Sequence, residues 1–315
     1  MEKKLAILVV AYKRPEALKN LLRQVAQIQP SAIYIALDSP KSKNDIGPNS
    51  ECIRVIEDWE NTYPGNVFKK YSAQNLGCSI SIIDACNWVF STEEFVVVLE
   101  DDCFPSKDFF KLVQDSREYL ETRTDLVMVC GTQFVPTAIT HNRWSISRYP
   151  MIWGWATTRS NWLLIQEFFM FGNHAKLTKQ SLKLADYVYW SAGARRGLDG
   201  FVDAWDTPLA FFMQSHGLRA ILPGQNLVTN IGDDEAATHT RGATSWIRMG
   251  LEHYQADNLP PVENQSVDKW LRQNFYRVSL RHLFTTNATW MLDFLGINKR
   301  KRSNLQNYFS KSTNY

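Results

Sequence analysis

At 315 residues, with 44% apolar and 21% charged side chains, the chain has the composition of a globular protein with room for a large core. A formal charge of +3 is too small to argue for nucleic acid, and no stretch approaches the ~18 apolar residues of a membrane span. The five cysteines are scattered without a Cys-x-x-Cys pair, which argues against a structural zinc site or a disulfide framework and for a reducing, cytoplasmic setting.

Leu5 to Ala11 reads as a buried strand. Its apolar run resembles the start of a signal peptide, but Tyr12-Lys13-Arg14-Pro15-Glu16 stands where a small-residue cleavage site would lie. Pro15 suits the first turn of a helix, Leu18, Leu21, Leu22 and Val25 continue at helical spacing, and Pro30 ends it. Ala32 to Leu37 predicts a second strand, ending at Asp38-Ser39-Pro40. A polar loop over Lys41 to Ser50 and a helix around Ile53 to Trp59 follow. Val67 to Tyr71 predicts a short strand, Gln74-Asn75-Leu76-Gly77 a turn, and Ser79 to Phe90 an apolar helix. This alternation of strand and helix is the pattern of a doubly wound parallel sheet.

The next strand is the most informative. Phe95-Val96-Val97-Val98-Leu99 is apolar throughout, as a strand buried on both faces requires, and it runs directly into Glu100-Asp101-Asp102. Adjacent carboxylates repel one another, so folding tolerates them where water or a cation screens the repulsion. Open α/β sheets bind ligands at the carboxyl ends of their strands, and Mg²⁺ or Mn²⁺ prefers one or two carboxylates together with substrate phosphates. Read alone, the run fits either a metal–diphosphate site or an acidic cap for the helix expected over Lys107 to Thr122. Beyond it, Asp125 to Cys130 and Ala220 to Pro223 predict strands. Trp162 to Phe171 and Leu209 to His216 predict helices, the latter opened by Trp205-Asp206-Thr207-Pro208, where Asp206 could be a plain N-cap. No G-x-G-x-x-G, G-x-x-x-x-G-K-[ST] or G-x-S-x-G is present, which argues against Rossmann dehydrogenases, P-loop NTPases and α/β-hydrolases.

From Lys4 to about Thr240 the sequence resembles the GT-A glycosyltransferases, in particular the N-acetylglucosaminyltransferase I family and bacterial family 2-like transferases of surface glycans. Val9-Val10-Ala11-Tyr12-Lys13-Arg14-Pro15 resembles their opening strand and nucleotide loop, and Asn75-Leu76-Gly77 their Asn-x-Gly segment. Glu100-Asp101-Asp102 matches the Asp-x-Asp position, with Pro105, Asp108, Phe109 and Phe110 following as in that family. Pro150-Met151-Ile152-Trp153-Gly154-Trp155 resembles the donor-sugar loop, and Trp205-Asp206 the pair carrying the acid/base.

The resemblance implies a GT-A-like α/β/α sandwich with a mostly parallel sheet over residues 1–250, divided into a nucleotide half (1–103) and an acceptor half (104–250). A basic helical tail over 251–315 would follow. It implies metal-dependent, inverting transfer of a sugar, hexosyl or N-acetylhexosaminyl, from a nucleotide-diphosphate donor, UDP favoured, to a glycan or lipid-linked acceptor in surface polysaccharide synthesis. The donor would be held by Ala11, Tyr12, Arg14, Asp38, Asn75, Gly77, Asp101, Trp153, Gly154 and Trp155, with Trp205 as a sugar-stacking wall. Mn²⁺ or Mg²⁺ would be bound by Asp102 with His239, and Asp206 would be the general base, Asp203 its nearest rival and Asp233, Asp234 and Glu235 weaker ones. Each element has a plainer reading: Asp38 a turn residue, Trp153 and Trp155 core, His239 a solvated loop histidine. A sugar nucleotidyltransferase would share the architecture but usually has glycines after the first strand, where Tyr12-Lys13-Arg14-Pro15 stands; a non-catalytic nucleotide-sugar-binding protein is the further alternative.

From Val267 onward nine Lys or Arg stand against Asp268 and Asp293, an excess larger than the whole chain's net charge. Trp270, Leu271, Phe275 and Val278 could form an apolar stripe beside Arg272, Arg277 and Arg281, followed by the cluster Lys299 to Arg302. The segment is expected either to touch an anionic inner membrane face or to pack as a helix on the domain.

Overall fold

The computed structural model describes residues 4–171, 184–231, 251 and 260–295. Its framework alternates β1 (Ala6–Ala11), α1 (Pro15–Ala26), β2 (Ala32–Leu37), α2 (Lys43–Glu60), β3 (Val67–Tyr71), α3 (Cys78–Phe90) and β4 (Phe95–Glu100). There follow β5 (Cys103–Pro105), α4 (Lys107–Thr122), β6 (Leu126–Cys130), the short α5 (Thr137–Thr140), β7 (Ser145–Ser147), β8 (Trp155–Thr158) and α6 (Arg159–Phe171). The last described elements are α7 (Leu184–Leu198), α8 (Asp206–Ser215), β9 (Arg219–Leu222), β10 (Val228–Asn230), β11 (Val262–Glu263), α9 (Gln265–Trp270), a π-helical turn over Leu271–Phe275, and α10 (Leu280–Phe294).

Nine strands form one sheet in the order β11-β7-β9-β6-β8-β4-β1-β2-β3, and β5 pairs with β10 in a separate two-stranded ladder. The run from β4 through β1 and β2 to β3 is parallel, as is β6 with β9, while β8 runs antiparallel between β4 and β6. The expected α/β architecture with a mostly parallel sheet is therefore present. Both faces are covered, which is why β1, β2 and β4 read as unbroken apolar runs. Ile7 and Val9 point into a core shared with α1, α2 and α4, and Leu8 and Val10 into one shared with α3, α6, α7 and α8.

The bounds of β2, β3 and α4 are those read from the sequence. Helix α2 differs: it begins at Lys43, inside the stretch expected as a polar loop, and carries Pro48 within it. Tertiary bonds override the loop-like composition. The Ser42 backbone N–H and hydroxyl both donate to Asp45 Oδ2 (3.0 and 2.6 Å), and Lys13 Nζ holds Asp45 Oδ1 at 2.7 Å. Strand β8 is not among the strands that the sequence predicts, because one flanked strand of four residues has little periodicity of its own.

The segment after residue 251 is tied to the sheet through β11, which pairs with β7. Its expected membrane-facing stripe is instead protein core. Leu271 is fully buried, and Trp270, Phe275 and Val278 pack on the core beneath α7 and α8. Arg272 is salt-bridged to Asp186 at 2.7 Å rather than offered to a surface. The side chain of Arg281 and the cluster Lys299 to Arg302 lie outside the described residues. No helix among the described residues is long and apolar enough to cross a membrane.

Candidate functional site

The carboxyl ends of β1, β2 and β4 open into a cavity of about 230 Å³. Adjacent registers bring the strand ends together, since Val10 pairs with Glu100 and Ala11 with Leu37. Ala11, Tyr12, Arg14, Asp38, Asn75, Gly77 and Asp101 all line this cavity, beside Lys13, Lys41, Glu100 and Asp203. Asp101 accepts the Tyr12 backbone N–H at 3.0 Å, so the first loop is pinned to the acidic strand end. Arg14 Nη1 bridges Asp101 Oδ1 at 3.3 Å and Asp102 Oδ2 at 2.8 Å. Asp102 is buried and also accepts Asn230 Nδ2 at 3.0 Å, while its carbonyl takes the Ile231 N–H at 2.8 Å. The β5–β10 ladder thus fixes the residue expected to hold metal, a support that no sequence spacing announces.

Asp38 is buried, and its carboxylate is occupied by its own chain. It accepts N–H groups of Ser39 (2.9 Å), Leu76 (2.9 Å) and Gly77 (3.1 Å), and the Asn75 side-chain amide at 3.0 Å. Burial nevertheless pushes its pKa up. In this geometry Asp38 clamps the Asn75–Gly77 turn against the end of β2. Asn49, which sequence reading passed over, donates to the carbonyls of Tyr12 (2.6 Å) and Asp38 (2.7 Å), stapling the first two strand-end loops together. The available signal was Ser42-x-x-Asp45, a helix-start pattern that would have placed Asn49 on a helix.

Gly77 has φ of +79°, and a Cβ there would lie 2.6 Å from Asp203 Oδ2. Asp203 accepts the N–H groups of Cys78 (2.9 Å) and Ser79 (2.8 Å), serving as a distant cap for α3, whose positive end favours a carboxylate. Asp203 is thereby committed to structure.

Asp206 is the first residue of α8; Trp205 holds the cap position and makes no side-chain cap bond. Asp206 lines a second cavity of about 120 Å³, with Trp153, Ile152, Thr207, Phe275 and Tyr276 among its walls. Its charge reaches the first cavity, contributing to the raised pKa values of Glu100 and Cys78. Gly154 and Trp155 line neither cavity. Gly154 is a hinge with φ of +69°, packed against Val228, and Trp155 is 1% exposed. The rings of Trp155 and Trp205 pack on each other at 5.5 Å, so both belong to the core beneath the site and Trp205 presents no sugar-stacking wall. Phe275 and Tyr276 had no local signal; they arrive from the far end of the chain.

The acidic strand end suits a divalent cation chemically. Burial first, then repulsion from Asp102 and Asp101, raises Glu100 to about 8. Burial and Asp102 raise Asp101 to about 6, against the opposing pull of Arg14. Hard carboxylate oxygens that are desolvated and mutually repelled are what Mg²⁺ or Mn²⁺ binds. Among the described residues no three acidic, imidazole or thiol side chains converge on one point, so substrate oxygens or water would complete the sphere. His239, with Asp233, Asp234 and Glu235, lies outside the described residues. All five cysteines are free thiols.

No protein-family model matches the chain, and no curated protein matches it. Solved structures do resemble it. UDP-glucose pyrophosphorylase complexed with UDP-glucose is 10% identical, with 70% of this chain and 90% of that one covered at a TM-score of 0.38. A putative glucose-1-phosphate thymidylyltransferase from Bacillus anthracis, in complex with a sucrose, is 9% identical, with 75% and 91% covered at 0.39. The 4-diphosphocytidyl-2C-methyl-D-erythritol synthase from Anaerococcus prevotii is 14% identical, with 55% and 78% covered at 0.34. At these scores function has to be argued from the site alone.

Proposed function

We propose that the chain is a glycosyltransferase that takes a sugar from a nucleotide-diphosphate donor, UDP-sugar favoured, and passes it with inversion to a glycan or lipid-linked acceptor in surface polysaccharide synthesis. The observation that carries this reading is the pairing of two cavities. One lies at the strand ends, where the charged side chains of Lys13, Arg14, Glu100 and Asp101 stand beside Tyr12. The other is aromatic and holds a separate carboxylate, Asp206. An inverting displacement needs a carboxylate placed apart from the leaving group, to accept the acceptor hydroxyl's proton as it attacks. Asp206 supports that role because its rival Asp203 is bonded to the α3 N-terminus.

The nucleotide would lie against Ala11, Tyr12 and the Asn75–Gly77 turn, with Arg14 and Lys13 toward the diphosphate. Asp102 would hold Mn²⁺ or Mg²⁺ and Asp101 the ribose or a metal-bound water. The ion, when bound, supplies positive charge against that developing on the leaving group. Arg14 already sets a guanidinium between Asp101 and Asp102, and so holds both carboxylates oriented.

A sugar nucleotidyltransferase is the second reading. It would use the same cavity, where Lys13 and Arg14, held by Asp45 and by Asp101 with Asp102, would face a triphosphate as they would a diphosphate. The two readings differ in what leaves. Incubation with UDP-, GDP- and dTDP-sugars and Mn²⁺ should release nucleoside diphosphate if the first holds. Nucleoside triphosphate plus sugar 1-phosphate should release pyrophosphate if the second does, and pyrophosphate alone would overturn the glycosyltransferase reading. Loss of the Mn²⁺-induced rise in melting temperature in Asp102→Ala would support the metal assignment independently of turnover.

A further inference from the structure

Helix α10 is built inside out. A helix laid on a protein surface buries an apolar stripe and turns its polar residues to water. In α10 the face toward α7 carries the polar contacts. Asp293 is fully buried there and pairs with Arg196 Nε at 2.7 Å, and Asn287 Nδ2 donates to the Val188 carbonyl at 3.4 Å. The Arg195 guanidinium lies over the Trp290 ring at 5.1 Å. The opposite face is bare and apolar. Phe284 is 69% exposed, Met291 55% and Leu295 63%, with Ala288 and Leu292 exposed beside them. Steps of four, three and four residues from Phe284 through Ala288 and Met291 to Leu295 keep these side chains on one stripe. The Leu295 N–H bonds to the Met291 carbonyl at 2.9 Å, so the stripe runs to the end of the helix. It is separate from the stripe of Trp270, Phe275 and Val278, which packs on the core.

Large apolar side chains gathered in water on one helix mark a surface that meets something else. The charge around the stripe indicates what. From Leu280 onward Asp293 is the sole acid in the sequence, and Arg196 neutralises it. Against it stand Arg281, Lys311 and the run Lys299-Arg300-Lys301-Arg302, which begins four positions beyond Leu295. A cationic sequence of this kind opposes the meeting of two copies of the face, because like charges disfavour association, and it attracts an anionic surface. A helix with one apolar face and a cationic flank suits the plane of an anionic bilayer, with its apolar side chains below the headgroups.

We infer that α10 is a membrane-contact helix, whose Phe284–Leu295 face enters an anionic phospholipid surface while Lys299 to Arg302 supply the electrostatic attraction. The buried Asp293–Arg196 pair fixes this helix to α7, so binding holds the folded domain itself at the bilayer. The inference does not rest on the glycosyl-transfer reading.

The test is flotation of the full chain with vesicles of phosphatidylcholine, with and without phosphatidylglycerol. The chain should float with the mixed vesicles, about tenfold or more weakly with phosphatidylcholine alone, and less as salt is added. Met291→Gln together with Leu295→Gln changes only exposed positions, so the melting temperature should hold while binding to mixed vesicles falls about tenfold or more. Lys299→Gln, Arg300→Gln, Lys301→Gln and Arg302→Gln together should abolish the preference for phosphatidylglycerol. A parent chain that does not float, or flotation indifferent to both sets of substitutions, would overturn the inference. Sedimentation without vesicles addresses the other occupant: an oligomer that disperses in the Met291→Gln, Leu295→Gln variant would overturn the bilayer in favour of a second copy. Nucleoside diphosphate release in solution reads the proposed function separately and should match the parent chain in both variants.

Discussion

The two cavities, one at the acidic strand end and one around Asp206, are built in opposite ways. The first is assembled from short loops that leave consecutive parallel strands, and its groups are held by hydrogen bonds and charge. Asp38 is occupied by backbone N–H groups, Asp101 by Tyr12 and Arg14, and Asn49 ties the loops from outside. The second is assembled from the loop before β8, the start of α8 and the C-terminal turn, and is held by ring packing. Rigid polar positioning suits a ligand whose phosphates and base are fixed in kind. An apolar wall with one carboxylate suits a ligand recognised by shape and a single proton transfer.

Variants that strike one cavity and spare the other would break or sharpen this contrast. The largest effect is expected from Asp206→Asn, which should lower glycosyl transfer by 10²–10⁴-fold, the usual worth of a general base, with UDP affinity intact by calorimetry. Near-normal turnover would show that the second cavity is not the reacting side. Gly77→Ala puts a Cβ onto Asp203 and strains a positive-φ position. It should cost about 3 kcal/mol in chemical denaturation from strain and loss of the α3 cap, and it should damage nucleotide binding most.

Asn49→Ala removes the shared donor of two carbonyls. A loss of about 2 kcal/mol is expected, together with weaker UDP binding by calorimetry. The smallest effect concerns acid. Hydrogen bonding by Lys13 and Ser42 lowers Asp45 to about 2. A carboxylate with a depressed folded pKa stabilises fully above its unfolded value of 3.8 and loses that contribution as pH falls toward about 2. Solvent screens the pair at the cavity rim, so the contribution is roughly 1 kcal/mol. Asp45→Asn should therefore flatten the denaturation midpoint between pH 4 and pH 2, in ~0.5-unit steps, relative to the parent chain.

The same contrast explains what was legible in the sequence. Strand-end loops follow apolar runs of period and length that the sequence displays, so Tyr12, Arg14, Asp38, Asn75 and Asp101 could be named and do converge on one cavity. Asp206 was proposed through the resemblance of Trp205-Asp206 to a family pair, though the tryptophan itself is buried. Trp155 was assigned to the donor through the resemblance of Pro150 to Trp155 to a donor-sugar loop, and a loop and a strand look alike where aromatic residues flank a glycine. Only pairing with β4 and β6 shows that its ring is enclosed. Phe275 and Tyr276 were invisible as cavity residues, since a π-turn leaves no periodic trace and the partners of Tyr276, Pro150 and Tyr189, stand 126 and 87 positions away. The apolar stripe after Val267 was real, but sequence does not say whether such a stripe meets lipid or protein.

The direction of a single strand settles which edge of the sheet the aromatic loop reaches. In β8, Trp155 lies opposite Val98 and Thr158 opposite Phe95. The chain therefore enters β8 level with the carboxyl end of β4, and Trp153 is delivered to the rim where Glu100 stands. Had β8 run parallel to β4, the four residues of the strand would have carried that entry point toward the opposite edge, about 10 Å away. Reversal of one short strand is thus what gives the acidic run an aromatic neighbour, from a chain segment more than fifty residues downstream.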